Sequence, residues 1–482
     1  MMAMTTNNSI SVNARLALDS WIRIVNLKFP CSVIVCFLQA WCQPAGLSCI
    51  SVHWNFSNVS ADSGCQTGIY RDAMNRRQFF RTTAVFASAM PLTVRAFTGG
   101  DRNIFTERDG MLRVRGQREF VLGLYQVPKS DGALREASAA GFNLINRSPT
   151  RAAYDEAQAL GLWGWSALGS LPPANRSATE TTMRQTIESL RDHPALLFWE
   201  TEDEPTLVWK EPMKIRTPAA QINDTAAFIR ELDPHHPLYL NHQPANLVTT
   251  LQAYNPAADI VAMDIYPVIP RGIREMYALW PDGRQGDLLN DTLSQIGPYA
   301  DKMRAVAGPR RAVFMVQQAF AWEMLREKER DPAMVLYPTA AQLRFMAWQA
   351  VVHGVNGLIW WGLSYTPPGA PLWNDLKTVV RELAQFRAAL AAPVAKLPLK
   401  LTYHDTGHSL DRGIEWLAKP CGRDVLLIAV NADGNPVEAT FAGLKSFREC
   451  RLEIGARAAE FHHGTWREQI EPFGTRVWRL VR

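Results

Sequence analysis

The densest chemistry in the chain lies in Ala195-Leu196-Leu197-Phe198-Trp199-Glu200-Thr201-Glu202-Asp203-Glu204-Pro205. Five apolar residues run directly into a set of carboxylates and a proline. An apolar run of this length, bounded by Pro194 and by acids, predicts a buried parallel strand. Pro205 cannot donate to a sheet ladder and ends it. Acids at the C-terminal end of such a strand are costly unless solvated or used, and parallel α/β folds place their chemistry at that end. Glu204 is therefore the first candidate for a general acid. A crowd of neighbouring carboxylates favours keeping one of them protonated near neutral pH. Strand alternation predicts that Glu200 and Glu202 point elsewhere or stand in solvent.

The elements that must position this stretch follow an alternating pattern. Predicted strands are Phe120 to Tyr125, Phe142 to Asn146, Leu162 to Trp165, the Glu204 strand, Pro237 to His242, Asp259 to Pro267, Arg311 to Gln318 and Gly357 to Gly362. Predicted helices between and after them are Gly132 to Ala140, Ala152 to Leu160, Thr179 to Arg191, Ala219 to Leu232, Gln295 to Val306, a helix from an N-cap at Thr339 to His353, and Leu376 to Leu390. Gly141, Gly161 and Gly354 read as C-terminal stops. Eight strands alternating with helices imply an α/β fold, a closed (β/α)8 barrel (TIM barrel). A hairpin over Met111 to Phe120, turning near Gly116-Gln117, precedes it. After a linker at Ala391-Ala392-Pro393 the period shortens. Leu401 to His404, Gly413 to Lys419, Asp424 to Asn431, Val437 to Phe441, Arg451 to Ile454 and Thr475 to Leu480 predict a small antiparallel β-sandwich, with turns at Asp433-Gly434 and His463-Gly464.

The strand ends share a chemistry. They present Tyr125 and Gln126; Asn146 and Arg147; Trp163 and Trp165; Trp199 with the acids; Asn241, His242 and Gln243; Asp264 and Tyr266; Gln317 and Gln318; and Trp360 and Trp361. Amides and carboxylates match sugar hydroxyls, and Trp faces match the apolar face of a pyranose. Cleaving a glycosidic bond needs two carboxyl groups flanking it. Glu204 and Asp264 are the candidate catalytic pair. Tyr125, Asn146, Trp199, Asp203, Asn241, Tyr266, Gln318 and Trp361 are the candidate sugar-lining residues. Of Trp360 and Trp361 only one can face inward, and Trp361 is the choice for the site. Trp163 and Trp165 are expected in the core. No Ser/His/Asp set, Gly-rich phosphate loop or HExxH appears. His235-His236 and His462-His463 read as loop and hairpin residues, so neither a metal nor a cofactor is expected. A metal-dependent hydrolase is disfavoured because no histidines cluster at early strand ends.

With those residues in place, the chain resembles the clan A-like superfamily of (β/α)8 glycoside hydrolases, whose catalytic acid ends the fourth strand in Asn-Glu-Pro. Trp199 to Pro205 is similar to that motif, with Asp203 where Asn is usual, and His193-Pro194-Ala195-Leu196 precedes it. Asp264-Ile265-Tyr266-Pro267 resembles the sixth strand of those proteins. The likeness spans roughly residues 111 to 390, and the terminal sandwich resembles their β appendage. It implies that Glu204 is the acid/base of a glycosidase. It also implies a nucleophilic Glu at the end of strand seven, where this chain has Val316-Gln317-Gln318-Ala319-Phe320. Three readings follow from that departure. Asp264 or another strand-end acid is the base of an inverting reaction; or Asp203 orients a substrate N-acetyl group that itself attacks; or the barrel binds carbohydrate without cleaving it.

Composition bounds the partners. The 482 residues carry a net charge of +5 with no Lys/Arg block, which gives no reason to expect nucleic acid. Cys31, Cys36, Cys42, Cys49 and Cys65 crowd the first stretch, in spacings that fit no zinc pattern. Cys421 and Cys450 form either a disulfide or two unpaired thiols. Met74-Asn75-Arg76-Arg77-Gln78-Phe79-Phe80-Arg81, followed by the apolar run Ala84 to Val94 and by Val94-Arg95-Ala96, resembles a twin-arginine export signal. The expected organisation is an upstream extension over 1–73, translation starting at Met74, and a signal over 74–96. The barrel with its hairpin then occupies 97–392, and the sandwich 393–482. The expected location is periplasmic or secreted, with no stable membrane insertion after the signal is removed. The expected partner is a carbohydrate substrate.

Overall fold

A computed structural model describes residues 104–270, 292–404, 410–455 and 460–482. The expected extension and signal lie outside these residues. Chain order begins with a three-stranded antiparallel sheet, β1 (Ile104–Thr106), β2 (Leu112–Val114) and β3 (Gln117–Glu119). Its β2–β3 turn is Arg115-Gly116, one residue earlier than expected, because Val114 pairs with Gln117. Both turn residues have positive φ (50° and 77°), the geometry that suits a two-residue hairpin. Leu112 and Val114 pack with Val121 and Ala312 and plug the N-terminal end of the barrel.

Eight parallel strands close that barrel: β4 (Val121–Leu124), β5 (Leu144–Asn146), β6 (Trp163–Ala167), β7 (Leu196–Asp203), β8 (Leu238–His242), β9 (Ile260–Ile265), β10 (Ala312–Gln318) and β11 (Gly357–Trp361), with β11 pairing back to β4. Helices α1 (Ala133–Ala140), α2 (Arg151–Ala159), α3 (Arg176–Leu190) and α4 (Ala219–Leu232) come after the first four strands in turn. Only the short α5 (Val248–Gln252) and a 3₁₀ turn lie between β8 and β9, a crossover in which the sequence pattern shows no helix. Helices α6 (Ile296–Ala307), α7 (Ala340–Val352) and α8 (Leu372–Gln385) complete the ring, and α9 (Arg387–Ala391) continues α8 after a break at Phe386. Thr339 caps α7 in a reciprocal capping box with Gln342.

The barrel interior is filled, not hollow. Trp165, Phe198, Tyr239 and Phe314 interlock there at ring separations of 5.2–6.5 Å. Small residues make room for them. A Cβ on Gly357 would meet the Phe314 ring at 2.8 Å. The lower part of the barrel is thus a packed core, and only its C-terminal end is left for ligand.

The sandwich comes last in the chain: β12 (Lys400–Tyr403), β13 (Ile414–Cys421), β14 (Asp424–Asn431), β15 (Val437–Ala442), β16 (Glu449–Ile454), β17 (Trp466–Ile470) and β18 (Thr475–Val481). The sheets are β12-β15-β17 and β13-β14-β18-β16, around a shared apolar core that includes Phe441, Trp466 and Trp478. β17 is absent from the sequence expectation. Its inward Glu468 is buried between Trp466 and Ile470 on Arg476 (2.8 Å), so apolar alternation is interrupted. Cys421 and Cys450 are free thiols on separate strands, β13 and β16. The outer face of the larger sheet, through Leu426, Ile428, Val430 and Val477, joins the apolar cluster of the barrel helices. Helix α7 is therefore covered on its outer side as well as its inner one. Among the described residues no helix is long and apolar enough to cross a membrane.

Candidate active site

The site begins with a fault in a strand. Glu200 of β7 pairs with Tyr239 of β8, but the next pair is Asp203 with Asn241, so three steps on β7 match two on β8. The bulge takes up the extra residue and brings Asp203, three positions on from Glu200, to the same side. Glu200 itself faces the barrel axis by ordinary alternation from inward Phe198 and outward Trp199, so the expectation that it points elsewhere is wrong. Glu200 is buried, accepting from the Trp165 indole N–H at 2.8 Å and the Tyr125 hydroxyl at 3.2 Å. Tyr125 also meets the Tyr239 hydroxyl at 3.0 Å.

Glu204 comes next at φ 42°, a left-handed conformation costly for a side-chain-bearing residue. It is fixed by its surroundings. Its N–H donates to the Asn241 carbonyl (3.1 Å), and its carbonyl accepts from Leu207 N–H (2.9 Å) and Arg216 (3.1 Å). Arg216 also binds the Asp203 carbonyl and lies 3.2 Å from Glu202. The sharp turn throws the Glu204 side chain across to Asp264 on β9, and the two carboxyl groups hydrogen-bond to each other. Asn241 Nδ2 donates to Asp203 (3.0 Å) and to Asp264 (3.3 Å), tying the third acid to the pair. Asn241 Oδ1 is buried with no partner among the described residues.

Four carboxyls this close cannot all ionise. Burial, then the Asp264 and Asp203 charges, hold Glu204 well above the usual carboxyl range. Burial and Asp203 raise Asp264 to about 7, although the Glu204 hydrogen bond pulls the other way. Glu204 is thus the proton donor of the pair and Asp264 the acceptor. Burial and Asp203 raise Glu200 to about 8 against the bonds from Trp165 and Tyr125. Asp203, at the exposed end of β7, is raised by desolvation within the cluster, opposed by Asn241 and Arg216.

Beside the acids stands an aromatic wall. Trp361 faces inward, half-buried, and stacks on Tyr266 (5.7 Å, 24°), with Phe320 edge-on to both rings (5.1 and 5.0 Å). Tyr365 lies 5.6 Å from Trp361, and the Trp322 indole N–H donates to the Tyr266 carbonyl (3.2 Å). Trp360 faces the other way and packs on Phe142. Asn146 is half-buried, in register with Trp165.

The structure therefore gathers Glu204, Asp264, Asp203, Asn241, Tyr266, Trp361 and Tyr125 at the C-terminal end, with Asn146 on a neighbouring strand end. Two expected residues are elsewhere. Trp199 points out of the barrel, fully buried among the helices, and its indole N–H donates to Asp233 at 2.8 Å. Gln318 is also fully buried. Its Oε1 accepts from Val268 N–H (2.9 Å) and its Nε2 donates to the Val268 and Phe320 carbonyls (both 3.0 Å), so its amide is consumed in holding two loops. Glu200, Trp165, Tyr239 and Arg216 belong to the site, and the sequence pattern does not place them there. Tyr239 carries a signal, its two-residue spacing from Asn241. Arg216, twelve residues beyond Glu204, carries none. Among the described residues no group of His, Cys, Asp and Glu is arranged to hold a metal ion.

No model of a known protein family matches the chain, and no curated protein matches it. Solved structures do show likeness. An α-amylase from Geobacillus thermoleovorans, complexed with acarbose, is 8% identical, with 78% of this chain and 99% of that one covered and a TM-score of 0.48. A GH30 endoxylanase from Clostridium papyrosolvens C71 is 10% identical, with 79% of this chain and 100% of that one covered, at a TM-score of 0.43. A glycoside hydrolase family 30 subfamily 8 xylanase from Clostridium acetobutylicum is 12% identical, with 79% and 100% covered, at 0.42. Likeness of this size concerns architecture, and no residue role passes from those proteins to this chain.

Proposed function

We propose that the protein hydrolyses O-glycosidic bonds of an oligo- or polysaccharide, with Glu204 as the general acid. The observation that carries this reading is the hydrogen-bonded Glu204–Asp264 carboxyl pair at the open barrel end, beside the Tyr266–Trp361 stack. Asp264 keeps the proton on Glu204 until a glycosidic oxygen replaces it as acceptor. The C1–O bond then breaks as the O–H bond forms, and the positive charge developing at the ring is met by the carboxylates of Asp264 and Asp203. Water adds to C1 and returns a proton to the acids, completing hydrolysis. Asn241 Oδ1, which has no partner among the described residues, is an acceptor for a substrate O–H or N–H.

The carboxyl contact favours one variant of this chemistry. Two catalytic carboxyls flanking a bond stand about 5 Å apart for retention and about 6.5–9.5 Å for inversion. Glu204 and Asp264 touch, so Asp264 is not spaced as the opposite partner that the sequence reading expects. An acid with an adjacent Asp suits attack by the substrate's own 2-acetamido oxygen, with Asp203 orienting that group. Gln318, bound to backbone, supplies no nucleophile. A carbohydrate-binding barrel without catalysis is the remaining reading.

The test is reducing-sugar release by the full chain over neutral and N-acetylated glycans, beside Glu204→Gln. Release that falls about 10²–10⁴-fold in the variant is expected for a positioned acid. Unchanged release in the variant removes Glu204 from the role. Binding without release from any glycan selects the non-catalytic reading. The Met74–Arg81 stretch supports export of the protein, which N-terminal sequencing of extracellular and periplasmic fractions tests.

A further inference from the structure

Large apolar side chains stand exposed at few places in the described residues, and they are not scattered evenly. Trp209 (50% exposed), Met213 (84%) and Ile215 (47%) share the loop between β7 and α4, and Leu247 (73%) is on the next loop, between β8 and α5. Both loops rise from the same barrel end as the acids. Exposed apolar surface gathered in this way marks a contact surface more often than chance.

The β7–α4 loop is held rigidly at its base. Thr217 N–H donates to the Pro205 carbonyl (2.8 Å), closing the loop on itself. Glu211 N–H to Val208 and Lys214 N–H to Glu211 (both 2.9 Å) make successive turns inside it. Arg216 clamps the end of the loop to the carbonyls of Asp203 and Glu204 at its start. Trp209 is thus presented on a frame whose first residue is the acid. Lys210 lies over the Trp209 ring (5.3 Å to the centroid) and has a left-handed φ of 63°, strain at the tip of a pinned loop.

We propose that this loop forms a binding position for a sugar ring of the substrate chain beyond the bond that is broken, with Trp209 as the stacking face. The proposal rests on the reading of Glu204 as the glycosidic acid. An indole offers a flat apolar surface to the C–H face of a pyranose, and its edge tolerates hydroxyls and water. Trp209 is separated from Glu204 by at most about 17 Å of extended chain, and the turns shorten it. That distance is within reach of an oligosaccharide of a few rings held at Glu204. On this proposal the substrate class is an oligosaccharide chain, with one ring at Glu204 and a further ring at Trp209.

The experiment uses the full protein, Trp209→Ala and Trp209→Phe, with oligosaccharides of two to six units from whichever glycan the wild type cleaves. The expected result is that Trp209→Ala lowers kcat/KM on six units relative to two units roughly tenfold, with Trp209→Phe recovering most of the loss. An unchanged length preference overturns the proposal and leaves Glu204 chemistry intact. If the wild type cleaves nothing, the acid reading fails separately. Calorimetry with chito- and xylo-hexaose then decides: binding weakened by Trp209→Ala supports the sugar position, and absent or unaffected binding overturns it. A dimer in sedimentation velocity that Met213→Ser disperses, without any change in length preference, also overturns it and makes the strip a self-association face.

Discussion

Two clusters of titratable residues, one at the barrel mouth and one between barrel and sandwich, are built from similar parts and do opposite things. At the mouth Glu200, Asp203, Glu204 and Asp264 all sit above their ordinary range. Arg216, the cation beside them, spends its hydrogen bonds on backbone carbonyls and faces Glu202. Between the layers, signs alternate. His353 lies 3.0 Å from Asp301 of α6 on one side and 3.0 Å from Glu415 of β13 on the other, and Arg412 is 3.0 Å beyond Glu415. Burial raises the Glu415 carboxyl as it raises those at the mouth, yet the His353 bond brings Glu415 below its ordinary value. Burial lowers His353, and the two carboxylates overcome it, to about 9. Each cluster has desolvated carboxyls, Glu200 in one and Glu415 in the other. The difference is whether a cation is in bonding reach. One cluster holds its charge conflict in a protonated acid open to ligand, beside a strained residue. The other resolves its conflict and joins two layers.

The comparison breaks most visibly if a further unpartnered carboxylate is tolerated at the mouth. Gln318→Glu places one where the resembling family carries its nucleophile. Here the side chain faces the carbonyl oxygens of Val268 and Phe320, which accept and cannot donate. An uncompensated buried charge of this kind costs about 3–5 kcal/mol. Urea unfolding is expected to show that loss, with no gain in glycan hydrolysis. A stable variant with new activity would show that the wall at β10 rearranges to present the acid.

A pH series separates the clusters. Glu200 and Asp264 have folded values above their unfolded ones. Their contribution is fully present below about pH 4 and is lost as pH rises through about 7 and 8. His353 is also raised, so its contribution is complete below pH 6.5 and lost as pH rises through about 9. The rise from 6.5 to about 9 corresponds to about 3 kcal/mol. Thermal unfolding of the wild type is therefore expected to weaken from acid to alkali across both ranges. His353→Gln should flatten the curve between pH 6.5 and 9, and Glu200→Gln should flatten it below 8. A His353→Gln curve parallel to the wild type would mean that the imidazole is neutral between its acids.

How far the sequence carried depends on periodicity. All eight barrel strands were legible because each is a short apolar run between turn signals, and the parallel barrel buries both faces of each. The positions of Glu204 and Asp264 at the barrel mouth were legible because each ends an apolar run that reads as a strand. The bulge that brings Asp203 to the same side as Glu200 was not, since a one-residue bulge leaves no composition signal; Glu200 itself follows plain alternation from Phe198. Arg216 was hidden because its partners are carbonyl oxygens, which every residue carries. β17 was hidden because an ion pair stands where an apolar side chain would mark the face. Gln318 escapes the rule that a strand-end amide lines the site. Its partners lie in two loops brought together only by the closed fold.

Trp199 gives the finest form of the contrast, since it and Trp361 look equivalent in sequence as aromatic residues at strand ends. Trp361 faces the axis and stacks on Tyr266. Trp199 faces the helices, and Asp233 accepts a hydrogen bond from its indole N–H while also meeting His236 at 2.8 Å. Trp199→Phe keeps most of the buried apolar volume and removes one hydrogen bond to a charged acceptor, a loss of about 2 kcal/mol. The expected result is a lower unfolding midpoint with hydrolysis changed less than about twofold, because His236 still holds Asp233 and the mouth is untouched. A fall in kcat with no change in stability would place the outer face of β7 in control of Glu204, and the separation between acid-bearing mouth and supporting shell would have to be redrawn around that strand.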